Sequence, residues 1–90
     1  MEFEWDDGKD AANLAKHGVS LAEAVRLDWE SVFDQVDQRG EYGEVRVRAL
    51  VPMGPRIYLC VYTLRMGVFR VISLRKANSR EVRRYEHSRS

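Results

Sequence analysis

The stretch EVRVRALVPMGPRIYLCVYTLRMGVFRVISLRK, residues 44–76, decides the fold. Val45, Val47, Ala49 and Val51 fall on one side of an extended chain and Arg46 and Arg48 on the other, the period-two pattern of a half-buried strand. Two further runs, Arg56 to Thr63 and Val68 to Lys76, are rich in β-branched and aromatic residues. The links between the three, PMGP at 52–55 and LRMG at 64–67, are short enough for antiparallel hairpins, so the stretch reads as a meander. In the last run simple alternation sets Arg70, Ile72 and Leu74 against Phe69, Val71, Ser73 and Arg75. Arginines at alternate positions give one sheet face a basic character.

Working outward, Ser31 to Val36 predicts one more strand, joined to the meander by a polar loop over 37–43 with two glycines. At the N-terminus Phe3 and Trp5 alternate with acidic residues as in a short edge strand. A helix then runs from Asp6 or Asp7, either of which can cap it, to about His17, where Gly18 supplies a left-handed terminus. Ala11, Leu14, Ala15 and Gly18 form its apolar stripe, and Lys9, Asn13 and Lys16 a polar face. Ser20-Leu21-Ala22-Glu23 reads as a capping box opening a second short helix to about Leu27. Asn78-Ser79-Arg80-Glu81 reads as another, opening a terminal helix through about His87 in which Val82 and Tyr85 share an apolar side. The fold class is therefore α+β: an antiparallel meander packed against N-terminal helices and a C-terminal helix, in one domain over 1–90.

Composition excludes much. With 44% hydrophobic and 32% charged residues the chain is neither disordered nor fibrous. No apolar run nears the length of a membrane span, and the acidic start MEFEWDD is unlike a signal peptide, so a cytoplasmic protein without a membrane partner is expected. One cysteine, Cys60, and two histidines, His17 and His87, allow no intramolecular disulfide and argue against a metal centre or other cofactor. The net charge of +1 conceals a polarity: up to Val45 the balance is −8, and from Arg46 onward it is +9. Such asymmetry suggests a surface for a polyanion or an acidic partner built from the second half. The competing reading is that the halves pack together and neutralise one another.

No glycine-rich phosphate loop, metal-binding helix or nucleophile elbow is present, so chemistry must come from clusters. With RNA as partner, scission can proceed by attack of the 2′-hydroxyl on the adjacent phosphorus, without metal. That reaction needs a proton acceptor, fixed cations around the phosphorane and a donor for the leaving 5′ oxygen. Arg46, Arg75 and Lys76 suit the cationic role, because guanidinium presents a planar fork to phosphate oxygens. His17 can transfer protons, or cap the helix it ends. Glu81 is a cap first and a proton acceptor second. Tyr85 can donate to a leaving group, stack on a base or pack. Lys16, Arg48 and Arg70 complete the basic candidates for RNA contact.

The chain resembles the BrnT family of toxins from bacterial type II toxin-antitoxin systems, small ribonucleases with a RelE-like fold. Three segments carry the resemblance: Phe3-Glu4-Trp5-Asp6 with Lys9, Asn13 and Lys16-His17-Gly18-Val19-Ser20; Tyr42-Gly43-Glu44 with Arg46; and Val61-Tyr62-Thr63 followed by Arg70, Ile72-Ser73, Arg75-Lys76-Ala77, Glu81 and Tyr85. Leu74 departs from a frequent alanine, and Ala49-Leu50-Val51 from a segment usually ending in glycine. The resemblance implies RNA cleavage that inhibits translation and growth, and neutralisation by a BrnA-like ribbon-helix-helix antitoxin through which the complex binds operator DNA. It also implies functional roles for Lys16, His17, Arg46, Arg75, Glu81 and Tyr85. The alternative is a non-catalytic module that binds the antitoxin and assists repression. A plain RNA-binding domain is a third.

Overall fold

The computed structural model describes residues 1–37 and 44–90, so the expected loop over 37–43, with the Tyr42-Gly43 pair, lies outside the described residues except for Asp37. Strand β1 (Glu2–Glu4) leads into helix α1 (Asp7–His17), and two 3₁₀ turns, Leu21–Arg26 and Trp29–Ser31, precede β2 (Phe33–Asp37). Then come β3 (Arg46–Met53), β4 (Arg56–Arg65), β5 (Val68–Lys76) and helix α2 (Ser79–Ser88). The five strands form one sheet in the order β1-β5-β4-β3-β2. β2 to β5 are antiparallel neighbours in chain order, while β1 returns to pair with β5 in parallel through Val68, Phe69 and Arg70. The expected α+β class with a sheet and helices is what the structure has. No helix among the described residues is long and apolar enough to cross a membrane.

The ends of the helices follow the sequence signals. Asp6 accepts from the Lys9 N–H at 2.9 Å, and Gly18 closes α1 with φ of 73°, a conformation that a side chain disfavours. Asn78 and Glu81 form the reciprocal capping box of α2. The Ser20 box does not form: Ser20 accepts from Ala22 N–H and donates to Asp10 Oδ1, Glu23 turns to Arg26, and the segment winds as a 3₁₀ turn. Asp10 Oδ1 also accepts from Leu21 N–H at 2.7 Å, so the cap of this turn comes from α1.

The buried residues make two clusters on opposite faces of the sheet. Leu21, Ala24 and Leu27 pack on Ala49, Val51, Tyr58, Cys60, Tyr62, Val71 and Leu74 on one face, with Trp29 and Phe69 against the Tyr62 ring and Phe3 against both of them. Burial pushes the Cys60 thiol up to about 12, so it stays protonated and packs as a small apolar group. On the other face Tyr85 of α2 covers Leu50, Leu59 and Val61.

Two findings correct the sequence reading. The expected apolar stripe of α1 points outward: Ala11, Leu14 and Ala15 are exposed, and Asn13, placed by spacing on a polar face, is 6% exposed. The reason is its amide. Asn13 Nδ2 donates to Leu74 O at 2.7 Å and Val19 O at 2.8 Å, and Oδ1 accepts from Leu74 N–H at 3.2 Å, so the side chain pairs with the open edge of β5 as a strand would. The second is an irregularity opposite Val61 and Tyr62. There Val61 pairs with Ser73 and Tyr62 with Val71, leaving Ile72 as an extra residue in β5. Beyond it the facing inverts, so that Leu74 enters the main core with Val71, and Arg75 joins the opposite face, where Arg70 already lies.

Removing the Asn13 amide strands the Leu74 N–H, Leu74 O and Val19 O away from water. Asn13→Ala is expected to lower unfolding free energy in urea by about 2–4 kcal/mol with an unchanged m value. A loss below about 1 kcal/mol would show that the edge is held by something else.

Candidate functional site

The inverted register gathers four arginines on one face of the sheet. In one cross-strand row Glu4, Arg70, Thr63 and Arg46 lie abreast, and in the next Ser73, Val61, Arg48 and Gln35. Arg75, opposite Leu59, stands one row further on, where the sheet meets the start of α2. Arg70 Nη1 donates to Glu4 Oε2 at 2.6 Å across the β1–β5 pair.

At the centre is a carboxylate. Glu81 is 7% exposed, yet its environment supplies donors for both oxygens. Arg75 Nη1 donates to Oε1 at 2.8 Å and Nη2 to Oε2 at 2.9 Å, a fork-to-fork pair, and Asn78 N–H donates to Oε1 at 2.9 Å. Arg48 Nη2 lies 3.8 Å from Oε2. The Arg75 hydrogen bonds above all hold this carboxyl below the usual glutamate range, outweighing the effect of burial, with further help from the Asn78 N–H and the Arg48 charge. A carboxylate so held is a weak proton acceptor and a strong organiser of the two guanidinium groups.

Tyr85, one turn after Glu81 on the same helix, is also committed. Its hydroxyl donates to Ser31 O at 2.7 Å, and the Arg89 guanidinium sits 5.7 Å above its ring and reaches the same carbonyl. It ties α2 to the 3₁₀ turn before β2.

The remaining expected site residues lie elsewhere. By alternation Lys76, opposite Tyr58, faces the α1 side of the sheet. There a cavity of about 580 Å³ is lined by His17, Ser20, Glu23, Met53, Tyr58 and Lys76. His17 also borders a groove of about 260 Å³ along the edge of β5, with Lys9, Lys16, Ile72 and Ser73. Among the described residues no hydrogen bond or ion pair joins His17 or Lys16 to the Arg75–Glu81 group. The structure thus brings Arg46, Arg48, Arg70, Arg75 and Glu81 onto one face, and leaves Lys16 and His17 on the rim beyond β5.

Sequence reasoning missed Arg84, which lines a shallow depression with Gln35, Arg48 and Glu81. Its signal was its spacing, three residues after Glu81 and hence over the same face of α2. It missed Lys9 as a neighbour of Ser73, because the meeting depends on how α1 is hung from the sheet.

Comparison with known families gives a match. The model of a family described as the ribonuclease toxin, BrnT, of type II toxin-antitoxin systems matches residues 5–81. That span runs from Trp5 to Glu81 and so includes the whole arginine face. Comparison with curated proteins gives no match.

Glu81 has a testable signature in acid. Its folded-state pKa lies below the unfolded value of about 4.3, so its contribution to stability is complete above that value and is lost as pH falls through the folded one. Urea unfolding of the wild type should therefore weaken more steeply between about pH 5 and pH 3 than that of Glu81→Gln, which cannot titrate there. Equal acid sensitivity in both would place the titrating group elsewhere.

Proposed function

Because the chain belongs to the BrnT family of ribonuclease toxins of type II toxin-antitoxin systems, we propose that it is a RelE-like endoribonuclease that cuts RNA in the cytoplasm without a metal ion. Cutting RNA inhibits translation and growth until a cognate ribbon-helix-helix antitoxin of the BrnA kind neutralises the toxin and carries the complex to operator DNA. The observation that carries the catalytic reading is the set of four arginines on one sheet face, two of them organised by a single buried carboxylate.

In the proposed reaction the 2′-hydroxyl attacks the adjacent phosphorus, the bond to the 5′ oxygen breaks, and a 2′,3′-cyclic phosphate and a 5′-hydroxyl result. Negative charge builds on the phosphorane oxygens as this happens. Arg46, Arg48, Arg70 and Arg75 supply fixed positive charge there, and a guanidinium already locked by Glu81 spends no reorganisation at the moment of reaction. Glu81 is then a positioning residue for Arg75 and Arg48. Tyr85 fixes the helix that carries Glu81. His17, whose ring can both accept and give a proton, is the proton-transfer group, and Lys16 and Lys76 extend the phosphate contacts. An antitoxin segment rich in carboxylates would block the same face by matching its charge.

The test is incubation of purified, antitoxin-free protein with total RNA in excess chelator. The wild type is expected to yield fragments, Arg75→Ala to lose about 10²–10³ in turnover, and Arg75→Glu to leave RNA intact. Intact RNA with folded wild type, or full cleavage by Arg75→Glu, overturns the assignment.

A further inference from the structure

The edge of β5 is covered by β1 only as far as Arg70. Beyond that point no strand among the described residues flanks it, and α1 crosses instead, held by Asn13 at Leu74. The groove between α1 and this edge is lined by Lys9, Ala12, Lys16 and His17 from the helix and by Ile72 and Ser73 from the strand. Ser73 belongs to the same cross-strand row as Arg48, so the groove opens directly onto the arginine face. Lys9 and Lys16 are seven residues apart, two turns and about 10.5 Å along one side of the helix, with the small Ala12 between them. Both are exposed, and neither makes an ion pair among the described residues. In an N-terminal half dominated by carboxylates, two of the three fixed cations within residues 1–37 stand at this one edge; the third, Arg26, is paired with Glu23.

We propose that single-stranded RNA passes from the arginine face over the free edge of β5 into this groove, where Lys9 and Lys16 hold the phosphates flanking the cut. This rests on the ribonuclease reading and gives it a substrate class. The reason is geometric. α1 lies along the free edge of β5, and the groove between them measures about 260 Å³. A double helix is too wide to enter so small a space. A single strand can enter, and its unstacked bases and sugars find Ile72 and Ala12 as an apolar floor with the Ser73 hydroxyl beside them.

Binding of a fluorescent twelve-nucleotide single-stranded RNA to an Arg75→Ala background, which consumes the probe about 10²–10³-fold more slowly than the wild type, is measured over a salt series. Lys9→Ala/Lys16→Ala is expected to make the slope of log K against log salt shallower by about 1.4, two contacts at about 0.7 each, and Lys9→Arg/Lys16→Arg to restore it. An equal loss of charge at exposed positions elsewhere, Arg56→Ala/Arg83→Ala, should leave the slope in place, and a duplex of the same sequence should compete poorly. A slope unchanged by the lysine pair, an equal change from the arginine pair, or equal competition by duplex overturns the groove path while cleavage by the wild type keeps the ribonuclease reading. A wild type that neither binds nor cleaves RNA overturns both.

Discussion

A side-chain amide holding the edge of a sheet is the constraint on which this structure depends. The strand β5 lies between β4 and an edge that β1 covers for three residues only. An open edge is a row of unpaired peptide groups, and Asn13 answers it with the same two groups a peptide would offer. The third bond, to Val19 O, ties the chain leaving α1 to the same point. One residue thereby fixes the height and rotation of α1 on the sheet. That in turn sets where Asp10 can cap the following 3₁₀ turn, which places Leu21 and Ala24 in the core.

Much of the fold was legible in the chain because local signals and burial agree there. Strand β5 spans the residues that its pattern marks, the Asn78–Glu81 box forms, and Gly18 ends α1. The failures have a common physical cause. Periodicity assumes that apolar side chains seek the core, and α1 violates it, since its best-buried residue is polar and satisfied by distant backbone groups while Leu14 is half exposed. Alternation assumes an unbroken ladder, and the extra residue Ile72 breaks it, although nothing in the local sequence of a β-branched strand announces a bulge. The same irregularity decides the site: without it Arg75 would face the α1 side, away from Arg70.

Residue types at the site were more legible than their relations. Arginines and Glu81 could be picked out by chemistry, but a capping glutamate that also clamps a strand arginine requires the turn between Lys76 and Asn78 to bring the helix start over Leu59. Once there, the two duties reinforce each other. The helix N-terminus favours a negative charge, the guanidinium fork favours the same charge, and both act on one carboxyl with little solvent to screen them. From sequence Glu81 is a cap first and a proton acceptor second, and Tyr85 a donor, a stacking ring or packing; in the fold each group already has a partner.

The charge polarity of the chain resolves in the same terms. Its halves do neutralise one another in part, as Glu4 with Arg70 and Glu44 with Arg65 show. These pairs are half-exposed and contribute little stability by themselves. Their effect is on direction. Glu4 draws Arg70 toward β1 and Glu81 draws Arg75 and Arg48 toward α2, so three guanidinium groups that would repel and spread are held at fixed places on one face. Among the described side chains two carboxylates stand with four arginines on that face and leave it positive, and the lysines of α1 continue it past β5. A polyanion approaching the molecule meets attraction along one path and repulsion beside it, although the net charge is only +1.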